Sequence, residues 1–230
     1  MDKRAKLIKI KSPKKYNNLE KYKKTSKKII KNISENFDVI WIAIPSNEKL
    51  FLVNQCLKND LNLIIEKPWL YSFKETQRII KLQKKKKLQI SVPYEYLYLK
   101  KLFLEKKIKL FNKKKYNFKG IFNVKSKIGI NLSPFYELGS HLMSIKLLYF
   151  NKTMIQDFEC SYNKKDCREI KLFNNKKMFS LNFTHNKEPI IQRFIIDYEK
   201  KLVSKKKYNI DLKFACNVYK NIKYLIDSKK

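Results

Sequence analysis

Between Phe37 and Tyr94, short apolar runs alternate with segments of helical spacing, and this alternation constrains the fold more than any other feature. "DVIWIAIP" is a strand-like run closed by Pro45. "SNEKLFLVNQCLKND" spaces Leu50, Val53 and Leu57 as a helix does, with Ser46 as its N-cap. "NLIIEKP" is a second run, "SFKETQRIIKLQKKKK" a second helix with Phe73, Ile80 and Leu82 as its apolar positions, and "LQISVPY" a third run. Strands joined by helices of this length predict right-handed βαβ units and a parallel sheet. Leu63, Ile64 and Ile65 are apolar at every position, which suits a strand covered on both faces. That run then stops at Glu66, Lys67 and Pro68. Ligands of open parallel sheets bind just beyond the carboxyl ends of the strands, so a charged pair ahead of a rigid turn at this point is a candidate site.

Beyond about Tyr94 the pattern changes. A helix over Leu99 to Ile108 leads to a strand, "FKGIFNVKSKI", and to an amphipathic helix, "SPFYELGSHLMSIKLLYF". Phe179, Leu181 and Phe183 then alternate with Ser180, Asn182 and Thr184, and Phe194, Ile196 and Tyr198 repeat the alternation, which predicts an antiparallel sheet with one covered face. Asp211 to Asp227 reads as a closing helix. The fold class is therefore α/β: half of a doubly wound parallel sheet in residues 1–93, then an α+β domain with a mostly antiparallel, open-faced sheet in residues 94–230. A chain of 230 residues is long enough to give these a sizeable core.

The formal net charge of +34 would ordinarily indicate a polyanionic partner. Only Arg4, Arg78, Arg168 and Arg193 are arginines, however, and the lysines spread along the whole chain instead of gathering on one element. Arginine is the preferred reader of phosphates and guanine edges, so nucleic acid is not expected as the partner. The run Lys84 to Lys87 reads as a solvated helix end, where cations suit the macrodipole. Cys56, Cys160, Cys167 and Cys216 form no CxxC pair and have no histidine at zinc-ligand spacing, so neither a metal site nor a disulfide framework is indicated. Neither a signal-peptide core nor an apolar stretch of transmembrane length is present, and a reducing cytoplasm is the expected location.

"DVIWIAIPSNEKLFLVNQCLKNDLNLIIEKPW", followed some seventy residues later by "YELGSHLMS", resembles the Gfo/Idh/MocA family of NAD(P)-dependent oxidoreductases, which act mostly on sugars, cyclitols and nucleotide sugars. The resemblance is close over Phe37 to Phe150 and extends in strand pattern to the C-terminus. It implies that the first part is an incomplete Rossmann-like dinucleotide-binding domain. It also implies NAD or NADP as cofactor, a sugar-like carbinol as substrate, and a homo-oligomer through the open sheet face. Pro45, Ser46, Glu66, Lys67 and Pro68 would line the cofactor, with the Lys67–Pro68 bond often cis in this family. Oxidising a carbinol by hydride transfer needs a cation for the developing alkoxide and a base for the hydroxyl proton; the resemblance assigns these to Lys67 and His141, with Glu137 orienting the imidazole or the substrate. Glu137, His141 and Ser144 share one stripe of the helix, beside an apolar stripe of Phe135, Leu138, Leu142, Ile145 and Tyr149. His185 reads as a surface residue. Tyr94, Tyr96 and Tyr98 either line the cleft or pack in the core.

The residues also depart from the family pattern. No glycine precedes Gly120, so the G-x-G-x-x-G turn is absent, and the first 36 residues offer one strand, "KLIKIK", and one helix, roughly Asn18 to Ser34. Lys49 stands where a histidine is usual, Ser144 where a second aspartate is usual, and no arginine follows "SVPY". Three accounts remain open on sequence: an oxidoreductase that is shortened or split, a non-catalytic member acting as a binding or assembly partner, and a basic nucleic-acid-binding protein on a borrowed fold.

Overall fold

The computed structural model describes residues 27, 28, 30, 37–44, 46–99, 116–125, 133–162, 164–204 and 210–228. The expected strand "KLIKIK", Pro45, all but Leu99 of the helix over Leu99 to Ile108 and most of the helix over Asn18 to Ser34 lie outside these residues.

The first sheet is the expected one. Strands β1 (Val39–Ile42), β2 (Asn62–Ile65) and β3 (Ile90–Ser91) lie in that order, all parallel, with Ile40 opposite Leu63 and Leu63 opposite Ile90. The connections are helices α1 (Ser46–Lys58) and α2 (Phe73–Lys85). Leu63, Ile64 and Ile65 are buried, as their continuous apolar run predicts. Helix α2 starts at a reciprocal cap in which the Ser72 hydroxyl accepts from the Glu75 N–H and the Glu75 carboxylate accepts from the Ser72 N–H. Its buried face differs from the expected one. Phe73 is 54% exposed, while Thr76 and Ile79 are buried, because the Thr76 hydroxyl accepts from the Trp69 indole at 2.9 Å and ties the helix to the turn before it.

The second sheet has the order β5-β4-β6-β7, with β4 (Asn117–Val124), β5 (Met154–Tyr162), β6 (Cys167–Phe173) and β7 (Met178–Asn182). The pairs β4–β6 and β6–β7 are antiparallel and β4–β5 is parallel. One face carries Phe118, Phe122, Phe158, Ile170, Leu172 and Leu181, all buried. The other carries ion pairs, Lys119 with Asp157 at 2.9 Å and Lys171 with Glu169 at 3.1 Å. At Gly120 a β-carbon would meet the Phe118 ring at 3.0 Å and Leu142 at 3.1 Å, so a glycine is needed where the helix layer approaches the strand.

Two expectations fail here. The segment containing Phe194, Ile196 and Tyr198 is not a strand but part of helix α5 (Ile190–Val203). Ile190, Phe194 and Tyr198 are four apart and form its buried stripe, whereas Ile196 is exposed; a short run can satisfy period two and period 3.6 together, and tertiary burial chose the helix. The helix over 133–150 is also divided, into α3 (Pro134–Glu137), capped by Ser133, and α4 (Gly139–Tyr149), with Leu138 between them. Helix α6 (Leu212–Asp227) closes the chain behind an Asp211 cap. The C-terminal segments return to the first sheet: the Tyr198 hydroxyl donates to the carbonyl oxygens of Leu63 and Gln89, and the Ser91 hydroxyl to that of Ile210. One continuous apolar core joins both sheets.

Candidate active site

Because β1, β2 and β3 are parallel, their carboxyl ends share one edge, and Glu66, Lys67 and Pro68 stand on it. The Lys67–Pro68 peptide is cis. Beneath the turn, Lys49 from the first turns of α1 is only 2% exposed, and its ammonium donates to the carbonyl oxygens of Glu66 and of Pro68, the latter at 3.4 Å. The side chain at the unexpected lysine position therefore grips the backbone on both sides of Lys67. Glu66 accepts a hydrogen bond from the Trp41 indole at 2.9 Å; burial pushes its carboxyl above the usual range, against that bond and the nearby charges of Lys67 and Lys49.

Burial lowers the Lys49 ammonium from 10.5 to about 8. The sign of the resulting pH dependence is fixed: between about pH 8 and the unfolded value the native state has released a proton that the unfolded chain still holds, so stability rises with pH across that window. The expected gain is about 3 kcal/mol. Cys56, raised to about 12 by burial, acts in the opposite direction at high pH, so the measurement is a comparison. Urea unfolding of wild type and Lys49→Met at about pH 8 and about pH 10 should show the rise only in wild type; parallel pH slopes in the two proteins would contradict a Lys49 ammonium lowered by burial.

The Lys67 ammonium donates to the Glu137 carbonyl oxygen at 3.3 Å, at the break between α3 and α4, so the strand edge and the second half of the chain meet here. Ser140 closes the same break by donating to that carbonyl oxygen at 2.9 Å. The Glu137 carboxylate does not turn towards the imidazole; it accepts a short hydrogen bond from the Tyr162 hydroxyl. The division of the helix at Leu138 removes the regular four-residue relation that the sequence suggested between Glu137 and His141. Ser144 donates to the carbonyl oxygen of His141 and is fully buried.

His141 is 4% exposed, stacked on Phe122 at 5.4 Å with the Tyr96 ring edge-on at 4.7 Å. Its Nε2 is 3.7 Å from a Glu95 carboxylate oxygen, and its Nδ1 is buried with no protein partner. Burial, and then the charges of Lys67 and Arg168, hold the imidazole well below its ordinary pKa, so it is neutral near pH 7. Burial likewise raises Glu95, against the pull of Lys67 and Arg168.

Glu95 and Arg168 were not identified from the sequence. Glu95 follows β3, at the shared strand edge, where the family pattern would place an arginine. Arg168 comes from β6 on the face that also bears Ile170 and Leu172, opposite Phe122. A charge in phase with an apolar alternation was the legible signal. Its guanidinium lies 5.2 Å from the Phe122 ring centre and donates to the Tyr96 hydroxyl at 2.9 Å, while its Nε is buried without a protein partner. Tyr94 and Tyr98 are core residues, Tyr96 borders the imidazole, and His185 is exposed in a turn.

A nicotinamide dinucleotide would be held along the parallel strand edge by the start of α1 at Ser46 and the Glu66–Pro68 turn, where Pro45 and the Ser46 side chain lie outside the described residues. A glycine turn for the pyrophosphate has no counterpart in residues 1–119, which contain no glycine. Among the described residues no group of histidine, cysteine and acidic side chains could hold a metal ion.

Residues 3–94 match an oxidoreductase family described by its NAD-binding Rossmann fold. Among curated proteins no sequence match is found. In fold the chain is similar to the UDP-N-acetylglucosamine 3-dehydrogenase GnnA from Acidithiobacillus ferrooxidans, at 11% identity and a TM-score of 0.74 over 90% of this chain and 85% of that one. It is also similar to a dehydrogenase (MviM) from Clostridium difficile, at 11% identity and a TM-score of 0.66 over 92% and 88%. A third similar structure is KijD10, a 3-ketoreductase from Actinomadura kijaniata in complex with NADP and TDP-benzene, at 7% identity and a TM-score of 0.65 over 84% and 79%.

Proposed function

We propose, from the premise that residues 3–94 belong to the Gfo/Idh/MocA oxidoreductase family, that this chain transfers hydride between NAD or NADP and the carbinol of a sugar or nucleotide sugar. The observation that carries this reading is the meeting of Lys67, at the end of β2, with the helix break that leads to His141. Residues 1–93 serve as the cofactor half and residues 94–230 as the substrate half.

A nicotinamide dinucleotide, when bound along the strand edge, would supply the hydride acceptor. The residues of this chain manage the charge on oxygen. As the hydride leaves the carbinol carbon, the Lys67 ammonium stabilises the negative charge developing on the oxygen. The hydroxyl proton passes to His141, which is neutral and shielded from water by Phe122 and Tyr96. Glu137, its carboxylate held by Tyr162, fixes the carbonyl oxygen that receives Lys67. A non-catalytic binding role is not favoured, because it gives no reason for a neutral imidazole, a lysine and a buried carboxyl to converge at a strand edge.

Two further parts of the reading concern context. A second copy would meet the open face of the second sheet through the ladder of Lys119, Asp157, Glu169 and Lys171. A reducing, cytoplasmic location accords with four free cysteines. Among the described residues no helix is long and apolar enough to cross a membrane.

The test is turnover. The full chain with millimolar NAD or NADP and a panel of UDP- and TDP-linked sugars should produce reduced nicotinamide fluorescence with at least one member. No reduction with either dinucleotide across the panel, including unlinked sugars and cyclitols, would count against the reading.

A further inference from the structure

We propose that Glu95 is a positioning residue that holds His141 as the Nε2–H tautomer and leaves Nδ1 with its lone pair. The inference rests on the oxidoreductase reading above and assigns a residue and an atom that this reading leaves open. Four elements surround the imidazole. The turn after β3 brings Glu95 and Tyr96, the end of β2 brings Lys67, β6 brings Arg168, and β4 brings Phe122. Of these only Glu95 offers an acidic oxygen, 3.7 Å from Nε2.

The choice between tautomers follows from what each would leave unpaired. With the proton on Nε2, a Glu95 carboxyl oxygen lies 3.7 Å away as its acceptor and Nδ1 keeps a lone pair. With the proton on Nδ1, a buried N–H has no acceptor, since Nδ1 has no protein partner. A buried orphan donor is among the costliest arrangements in a protein. The spacing of 3.7 Å exceeds a hydrogen bond, as is common in unliganded sites whose catalytic contacts tighten when substrate arrives.

The chain contains two histidines, so the spectroscopy is simple. The full chain carrying His185→Asn, isotope-labelled in the histidine ring, shows His141 alone in long-range proton–nitrogen correlation spectra. The expected spectrum is a neutral ring from about pH 5.5 to about pH 8 with its proton on Nε2. Glu95→Gln keeps an oxygen acceptor, so the tautomer persists while the Nε2 proton shifts upfield on loss of the carboxylate charge. Glu95→Leu removes the acceptor and moves population to Nδ1–H. A wild-type ring protonated on Nδ1, or one cationic across this range, overturns the proposal, and so does a Gln variant with an unshifted Nε2 proton. If the Leu variant fails to fold, the wild-type tautomer and the Gln shift decide the matter. None of these readouts needs substrate or cofactor. A correct tautomer that depends on Glu95, together with no turnover, would sink the oxidoreductase reading and leave the positioning intact.

Discussion

NAD and NADP are expected to bind this chain with dissociation constants in the millimolar range, about a thousandfold weaker than the micromolar affinity usual for a nicotinamide enzyme. Dinucleotide affinity in a doubly wound fold comes largely from a glycine turn that lets the backbone approach the pyrophosphate and aims a helix N-terminus at it. Residues 1–119 contain no glycine. The loss of two or three charge-assisted hydrogen bonds, at about 1.5 to 3 kcal/mol each, is enough to carry a micromolar constant to millimolar. Calorimetry of the full chain with each dinucleotide measures this directly. A micromolar constant would contradict the expectation and would point to lysines as the phosphate ligands. Its dependence on salt would then identify them, because point-charge contacts weaken steeply with ionic strength.

The second large effect is that of Lys67. Lys67→Met should lower turnover by about 100- to 1,000-fold at saturating dinucleotide, the usual cost of removing one group that stabilises oxyanion charge. The loss should appear in kcat, since the ammonium acts on charge that exists only in the transition state. Lys67 also bonds the Glu137 carbonyl oxygen, so Lys67→Arg is the control for a merely structural role. Arginine keeps a donor for that carbonyl but, with its delocalised charge and planar fork, is a poor substitute for a compact ammonium at the carbinol oxygen. If Lys67→Arg restored full turnover, or if the Met variant changed only KM, stabilisation of the alkoxide by Lys67 would be excluded.

The parallel sheet is legible in local pattern alone. Leu63, Ile64 and Ile65 are apolar at every position, and the helices on either side of them are of crossover length, so connectivity and chirality leave one arrangement. The same local logic placed Lys67 on the ligand edge, because the carboxyl ends of parallel strands share an edge wherever the sheet exists. It also set Phe179, Leu181 and Phe183 on one face of a strand end and Asp211 at a helix start, both of which are properties of short stretches.

Other features depend on partners distant in the chain and follow from long-range packing. Phe194 and Tyr198 fit two periodicities, and the choice of helix came from burial against Trp41 and the first sheet, with Phe194 6.1 Å from the Trp41 ring. Glu137 and His141 are four apart in sequence, yet the break at Leu138 sends one carboxylate to Tyr162 and leaves the imidazole beside Glu95. Glu95 and Arg168 are 73 residues apart by their numbers in the chain, and nothing local to either predicts that both would stand beside one histidine. Lys49 as a buried grip on the turn was equally hidden, since an isolated lysine on a helix is ordinarily solvated. Pattern reports how a residue relates to its neighbours along the chain, whereas a site is made of charges and rings brought within a few ångströms by packing, and that distance is set by the whole core at once.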